Sequence, residues 1–309
     1  MIGVLLMAYG TPRSLDEVEA YFTHIRRGRK PSDEEVEDLK ERYLSIGGVS
    51  PLTAITESQA KGLQTILDRK SPQGLRVYLA MKHSPPFIPH VAEQMIRDGI
   101  REIVALVLAP HESRMIIDDY MRYARDVLGS QPNVNVHVIR TWHLNDKYLS
   151  ALRKRIQREL AAFPRPGPEH TMVLFTAHSL PEKILATKEP DPYPARLEET
   201  ARALADQARL PHWRRAYQSA GKTPFPWLGP DIIEVLEHLK AEGHSQVLVV
   251  PIGFVADHLE ILYDIDHEAQ EKAQELGIIL RRTESLNTDP EFLEGLADEI
   301  LHATASIHP

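Results

Sequence analysis

The chain contains no cysteine among its 309 residues. This absence excludes disulfides, thiolate zinc sites, cysteine-ligated iron–sulfur clusters and cysteine nucleophiles. Any metal ion that the chain binds must therefore meet nitrogen and oxygen ligands. We expect no prosthetic group, whereas a bound divalent cation stays open because carboxylates and imidazoles are sufficient to hold one.

Long apolar runs are also missing, since none approaches the roughly 20 residues of a membrane-spanning helix. The N-terminal stretch MIGVLLMAYGTP passes directly from apolar residues into a turn, which is typical of a first core strand rather than a signal peptide. We therefore expect a cytoplasmic protein that does not insert into membranes. Aromatic residues make up only 6% of the chain and no apolar patch is evident, which favours a monomer.

Positive charge is in deficit, because the formal net charge is −8. This balance argues against a general nucleic-acid-binding protein, and we expect no nucleic acid partner. The local run at residues 24–30, HIRRGRK, is nevertheless strongly basic. It is either a solvated loop or an anion-binding segment.

Short apolar runs alternate with longer amphipathic stretches, the pattern of strands and helices around a parallel sheet. Three of these runs occur twice, in the same order. Residues 4–12 (VLLMAYGTP) match residues 173–181 (VLFTAHSLP), and this alignment sets Tyr9 opposite His178. The other pairs begin at residues 76 and 215 and at residues 103 and 247.

This repetition predicts an α/β protein of two Rossmann-like domains, each a small parallel sheet flanked by helices, with a cleft between them. We expect the first domain to cover residues 1–112 and the second to cover residues 113–289. The helical pattern at residues 290–305 is expected to pack back on the first domain. In such sheets ligands bind beyond the carboxyl ends of the strands. The residues predicted at those ends are Tyr9, His111, His178, His258 and Glu260.

An acidic stripe follows the third apolar run of the second half. Glu260, Asp264 and Glu268 are spaced four residues apart, so that they share one helix face, and a local π-type widening would align them further. Like charges at this spacing repel by roughly 0.2–0.5 kcal/mol per pair. The stripe is either a solvated helix face or a path for a divalent cation.

Three further side chains are candidates for chemistry or packing. His178 is either a hydrogen-bonded structural histidine or a group that binds metal or accepts a proton near pH 7. Tyr9 is either a phenolate-type ligand or a core tyrosine. Trp227, in the proline-rich loop TPFPWLGP, either packs a corner or forms a flat wall for a planar ligand.

The chain resembles the ferrochelatase family, specifically the coproporphyrin III ferrochelatase type of Gram-positive bacteria. The resemblance runs along nearly the whole chain, and AHSLP together with GFVADHLE is its most specific part. The other motifs that carry it are LLMAYGTP, HIRRGRKP, RYLSIGGVSPL, VLAPH and PWLGPD. The segment at residues 112–119, ESRMIIDD, departs from the Ser/Thr-rich pattern of the family.

The resemblance implies an enzyme, a metal chelatase of the lyase class that inserts Fe²⁺ into coproporphyrin III during haem biosynthesis. It implies that His178 and Glu260 are catalytic and that Asp264 and Glu268 continue an acidic metal path from them. It places Tyr9 on the other side of the macrocycle. The remaining residues implied or predicted to line the porphyrin are Arg26, Arg42, Tyr43, Ser50, Tyr120 and Trp227.

Chemical reasons agree with this reading, because metal insertion requires a base for the pyrrole protons, carboxylates for the cation and a rigid cleft. The implied partners are coproporphyrin III and Fe²⁺ as substrates, with transient contacts to neighbouring haem-pathway enzymes. The alternatives are a protoporphyrin IX ferrochelatase, a cobalt or nickel chelatase of another tetrapyrrole, and a non-enzymatic haem or metal carrier.

Overall fold

The computed structural model describes residues 2–71, 74–221, 223–305 and 307. These residues form two four-stranded parallel sheets. The first sheet, in the spatial order β2-β1-β3-β4, contains β1 (Ile2–Ala8), β2 (Leu75–Met81), β3 (Glu102–Val107) and β4 (Asn135–Ile139). The second, in the order β6-β5-β7-β8, contains β5 (Met172–His178), β6 (Trp213–Gln218), β7 (Gln246–Pro251) and β8 (Ile279–Arg282).

Helices flank both sheets. In chain order they are α1 (Val18–Ile25), α2 (Asp33–Ser45), α3 (Leu52–Lys70), α4 (Ile88–Arg97), α5 (Asp119–Leu128), α6 (Asp146–Ala161), α7 (Tyr193–Ala208), α8 (Ile232–Ala241), α9 (Leu259–Leu262), α10 (Gln270–Leu276) and α11 (Pro290–Ala305). Two π-helical segments, Arg114–Asp118 and Asp264–Ala269, directly precede α5 and α10. No helix among the described residues is both long and apolar enough to cross a membrane.

The predicted two-fold repetition is confirmed by the sheets. The paired sequence runs form β1 and β5, β2 and β6, and β3 and β7, and each pair occupies the same place in its own sheet. Tyr9 directly follows β1, and His178 is the last residue of β5. Because all strands of a sheet are parallel, their carboxyl ends lie at one edge, and both residues lie at such an edge.

The expected division at residue 112 does not follow the sheets. Strand β4 pairs in parallel with β3, so the first sheet continues to Ile139. The sequence prediction stopped too early because β4, with the sequence NVHVI, is short and has no fully buried residue. A division after β4 fits the pairing of the strands.

One apolar core connects the two halves. It contains side chains from both sheets, such as Leu6 of β1 and Phe175 of β5, together with Trp142 and Phe292. The C-terminal helix α11 packs on the first half through this core, and the Lys70 ammonium pairs with the Asp298 carboxylate at 2.8 Å. Burial of apolar area stabilises this packing by about 25 cal/mol per Å². The shared core therefore fixes the position of the carboxyl edge of one sheet relative to that of the other.

Candidate active site

The candidate catalytic pair lies where β5 ends and α9 begins. The Nε2 atom of His178 is 3.6 Å from Oε1 of Glu260. The Nδ1 atom of His178 donates a short hydrogen bond to the backbone carbonyl of Ser179. Because that bond occupies Nδ1, the second ring nitrogen of His178 is the one that faces Glu260. The two side chains stay 32% and 30% exposed, so they are accessible to solvent.

The Glu260 charge controls the protonation of His178. Burial disfavours the imidazolium, but Glu260 and the Ser179 carbonyl more than offset this and raise the pKa of His178 to about 9. Burial likewise opposes ionisation of Glu260, yet His178 holds the pKa of this carboxyl well below its usual range. In the ligand-free protein the two groups therefore form an ion pair at neutral pH.

His258 is a third member of this site, and the sequence analysis gave it no catalytic, metal-binding or porphyrin-binding role. Its Nε2 atom lies 3.7 Å from Oε2 of Glu260, and its Nδ1 atom donates to the carbonyl of Ala256 at 3.0 Å. Oε2 itself has no hydrogen-bond partner among the described residues. The sequence placed His258 at a strand end, but only the fold shows that one carboxylate lies between two imidazoles. His111, also expected at a strand end, is buried and bonds to Thr200 at 2.8 Å.

The three carboxylates of the acidic stripe differ in burial, since the middle one is buried and the last one is exposed. Asp264 is buried and accepts a short hydrogen bond from the Ser219 hydroxyl, while Arg42 lies 3.8 Å from its other oxygen. Burial and the Glu260 charge together raise the pKa of Asp264 to about 7. Glu268 is exposed. Asp264 begins the π-helical segment Asp264–Ala269, so the widening considered from the sequence is present within the stripe.

The opposite wall comes from the first half of the chain. Tyr9 is 39% exposed, and its pKa is raised first by burial and then by the negative charge of Glu260. The buried Lys82 ammonium lies 5.6 Å from the ring centroid of Tyr9 and 4.8 Å from that of Tyr120. It pairs with Asp119 at 2.6 Å. Sequence reasoning missed Lys82, because nothing in its neighbourhood along the chain marks it.

The expected substrate-binding residues at the rim are engaged within the protein. The Arg26 guanidinium pairs with Glu35 at 2.5 Å, and that of Arg42 lies 4.8 Å from the ring centroid of Tyr263. The remaining two are buried: the Tyr43 hydroxyl is 3.1 Å from that of Thr11, and the Ser50 hydroxyl accepts from the Leu52 amide at 3.2 Å. Arg26 and Arg42 must exchange these contacts if they are to bind a substrate carboxylate.

Comparison with known proteins assigns the chain to a family. A family model described as Ferrochelatase matches residues 1–304.

The chain belongs to the ferrochelatase family. It is therefore a metal chelatase enzyme, as the motifs predicted. It is 46% identical to the Ferrochelatase of Herpetosiphon aurantiacus, across 94% of this chain and 95% of that protein. It is 44% identical to the Coproporphyrin III ferrochelatase of Geobacillus kaustophilus, across 97% and 95% of the two chains. The Bacillus subtilis protein of the same name is 40% identical, across 97% of each.

Solved structures support the fold of this ferrochelatase. SirB from Bacillus subtilis, in a structure with Fe³⁺, superposes with a TM-score of 0.59 at 12% identity, over 98% of this chain and 96% of SirB. At this low identity the likeness concerns the fold alone. It confirms the predicted pair of Rossmann-like units of the chelatase type.

Trp227 lies on the same side of the ferrochelatase cleft as His178, with 6.4 Å between the two ring centroids. Its indole nitrogen donates to the Thr223 hydroxyl at 2.8 Å, and its backbone pairs with Pro181. A Cβ atom built on Gly221 would lie 2.4 Å from the indole ring. Trp227 therefore packs a corner of the loop, and the structure also leaves it half-buried beside the cleft.

No group of three or more His, Asp or Glu side chains in the described ranges is arranged to hold a metal ion. His178 and Glu260 are close together, but Asp264 is turned toward Ser219 and Glu268 toward solvent.

Proposed function

We propose that this ferrochelatase inserts Fe²⁺ into coproporphyrin III to form iron coproporphyrin (coprohaem) in haem biosynthesis, in the cytoplasm. The observation that carries the proposal is the His178–Glu260 pair, an imidazole and a carboxylate 3.6 Å apart and both partly exposed. Relatives that are 40–44% identical over nearly their full length bear the name Coproporphyrin III ferrochelatase, which supports the choice of porphyrin.

The reaction exchanges one Fe²⁺ for two pyrrole protons, so the site must hold a base and a cation at different moments. His178 starts as an imidazolium, because Glu260 stabilises its proton. An incoming cation between His178 and Glu260 repels that proton and releases the neutral imidazole. The displaced proton leaves to solvent, to which the pair is partly exposed. As the metal moves on into the ring, the Nε2 atom of His178 accepts one pyrrole proton, passes it to solvent, and then accepts the second.

Two acidic side chains supply the cation in this proposal. Glu268 is exposed and meets the hydrated cation first, and Asp264 lies between it and Glu260 in the sequence of the stripe. Oxygen ligands suit a hydrated divalent metal ion, and replacing its waters one at a time avoids a single large dehydration cost.

The porphyrin carboxylates are proposed to bind at the basic rim. Coproporphyrin carries four propionates, and each charge-assisted hydrogen bond contributes about 1.5–3 kcal/mol. Arg26 and Arg42 would exchange Glu35 and Asp264 for propionates, since both arginines are about one-third exposed. Tyr43, Ser50 and Tyr120 are buried in the ligand-free protein, so their hydroxyls would contact the porphyrin only after the rim rearranges. Tyr9 would face the porphyrin plane.

The test is the anaerobic absorbance change of free-base coproporphyrin III with Fe²⁺, compared with protoporphyrin IX in the same detergent. We expect a higher kcat/KM for coproporphyrin, and we expect Arg26→Ala to reduce this preference about tenfold. Lys30→Ala is the matched control, because Lys30 belongs to the same basic run but pairs with Glu19. Equal use of both porphyrins by the wild type would contradict the proposed substrate.

Three further properties belong to this proposal. The enzyme works as a monomer, which light scattering at assay concentration tests. It needs no prosthetic group, so protein treated with EDTA and dialysed should regain full turnover on addition of Fe²⁺ alone. It passes its product on through transient contacts with neighbouring haem-pathway enzymes, which would appear as faster product release in their presence.

A further inference from the structure

Asp191 is a buried carboxylate at the junction of the two halves, outside every role assigned above. Its Oδ2 atom accepts hydrogen bonds from the Ser113 hydroxyl at 3.0 Å and from the Met115 amide at 3.1 Å. Its Oδ1 atom accepts from the Tyr193 amide at 3.0 Å. One side chain thus joins a segment that follows β3 in the first half to the beginning of α7 in the second half.

Each of these contacts leads to a wall of the cleft. The Tyr193 hydroxyl donates to the backbone carbonyl of His178 at 3.0 Å, so the Asp191 contact at Tyr193 fixes the residue that carries the candidate base. On the other side, the Ser113 hydroxyl accepts from the Ile116 amide at 3.2 Å and caps the π-helical segment Arg114–Asp118. This segment continues directly into α5, whose second residue is Tyr120.

We propose that Asp191 is a positioning residue that holds the base-bearing wall and the porphyrin-facing wall in register; the inference rests on the proposed function. The donors that Asp191 meets are uncharged, so its carboxylate serves as a geometric link between the two halves. Proton transfer and metal insertion depend on close distances, and a misplacement of about 1 Å can reduce the rate about 100-fold. By fixing the separation of the two walls, the buried Asp191 carboxylate therefore preserves the reaction rate.

A purely structural role is the competing explanation, because Asp191 also accepts from the amide of Tyr193, the first residue of α7. The chain contains a matched control for it. Asp289 precedes α11 in the same Asp-Pro arrangement, and its carboxylate accepts from the Glu291 amide at 2.8 Å and from the Phe292 amide at 3.1 Å. It binds Arg155 at 2.9 Å, away from the cleft walls. Loss of a helix cap alone should affect both aspartates alike.

The experiment compares Asp191→Asn with Asp289→Asn. An asparagine has one acceptor oxygen and a donating amide, so it can satisfy the Tyr193 side or the Ser113 and Met115 side but not both. We expect both variants to lower Tm, and only Asp191→Asn to lower kcat/KM for coproporphyrin, by at least about tenfold per folded molecule. Unchanged kcat and KM in Asp191→Asn would overturn the proposal.

Two milder variants separate the walls. Tyr193→Phe removes only the tether to His178 and should lower kcat with little change in KM. Ser113→Ala removes only the tether to the opposite wall and should mainly raise KM for porphyrin. When either change is added to Asp191→Asn, the effects should be less than additive, since the link is already broken. Full additivity would contradict the proposal. If Asp191→Asn fails to fold, the double variant of Tyr193→Phe and Ser113→Ala provides the same test, because additive effects of these two changes would also contradict the proposal.

A readout without turnover keeps this inference separate from the proposed function. The imidazole NMR signal of His178 should move in Asp191→Asn and stay in place in Asp289→Asn, whatever substrate the enzyme uses. A wild type that fails to metallate coproporphyrin would refute the proposed substrate alone. An active wild type with an unmoved His178 signal in Asp191→Asn would refute the positioning role alone.

Discussion

At the scale of single residues, the chemistry depends on one imidazole that lies against one carboxylate. His178 combines a hydrogen bond from Nδ1 to a backbone carbonyl with an Nε2 atom that faces Glu260. The backbone contact sets the ring orientation, and the carboxylate sets the proton affinity. Replacing either partner should therefore change the site in a distinguishable way.

The first prediction removes the base. His178→Ala should reduce metal insertion to less than a tenth of the wild-type rate, a barrier increase above about 1.4 kcal/mol. The cleft walls remain, so porphyrin binding, followed by fluorescence quenching, should be retained. A variant that keeps more than a tenth of the rate would show that another group accepts the pyrrole protons.

The second prediction concerns the protonation of His178 in the ligand-free protein. Its pKa is raised to about 9, so NMR should show an imidazolium at pH 7.5. A raised folded pKa stabilises the fold below the unfolded value of about 6.5, and this contribution is lost as the pH rises through about 9. Glu260→Gln removes the anion and should lower the pKa of His178. A titration that is the same in both proteins would exclude Glu260 as the cause.

At the scale of elements, the π-helical segment Asp264–Ala269 distinguishes the second half from a regular Rossmann-like unit. The amide of Glu268 bonds to the carbonyl of Tyr263, five residues earlier, at 3.0 Å. This wider turn brings side chains four to five residues apart onto one line. The segment is also anchored, because Asp266 binds Arg282 of β8 through two bonds of 2.8 Å.

The third prediction tests this line of carboxylates. Asp264→Asn and Glu268→Gln should each raise KM for Fe²⁺ severalfold and change kcat little, because these groups deliver the cation and do not take the pyrrole protons. Glu275→Gln is a control from the adjacent helix α10, where Glu275 pairs with Lys272 at 3.3 Å. A metal dependence that is unchanged in both stripe variants would leave the stripe as a solvated helix face.

At the scale of the whole molecule, the fold buries neutral histidines in the first half of the chain. His83 is buried, with Nδ1 only 2.9 Å from Nδ1 of His24, and burial lowers its pKa to about 3. Burial also holds the pKa of His111 well below its usual range. An unfolded chain binds protons at these positions near pH 6.5, whereas the folded chain does not.

The fourth prediction is therefore a loss of stability toward mild acid. A lowered folded pKa means that the contribution of His83 is present above about pH 6.5 and is lost as the pH falls toward 3. Between pH 7 and pH 5 this residue alone should cost about 2 kcal/mol of unfolding free energy. In urea unfolding, His83→Gln should flatten the pH dependence by that amount. An equal slope in the two proteins would show that His83 is protonated in the folded state.

The local pattern of the chain was sufficient to predict several features. Strand periodicity and the repeated runs indicated two similar parallel sheets, and the sheet geometry placed Tyr9 and His178 at strand ends. The spacing of Glu260, Asp264 and Glu268 indicated a shared helix face. These features are visible because residues close in sequence determine the period of a strand or helix.

Contacts between distant segments were decided by the tertiary structure alone. Lys82 reaches Asp119, and Asp191 reaches Ser113, across 37 and 78 positions of the chain, and no local period marks such pairs. The first sheet likewise extends to β4 because an edge strand is specified by its neighbour β3 more than by its own apolar residues. Local sequence therefore determined the elements and the candidate residues, whereas the packing of the two halves determined their partners, burial and proton affinities.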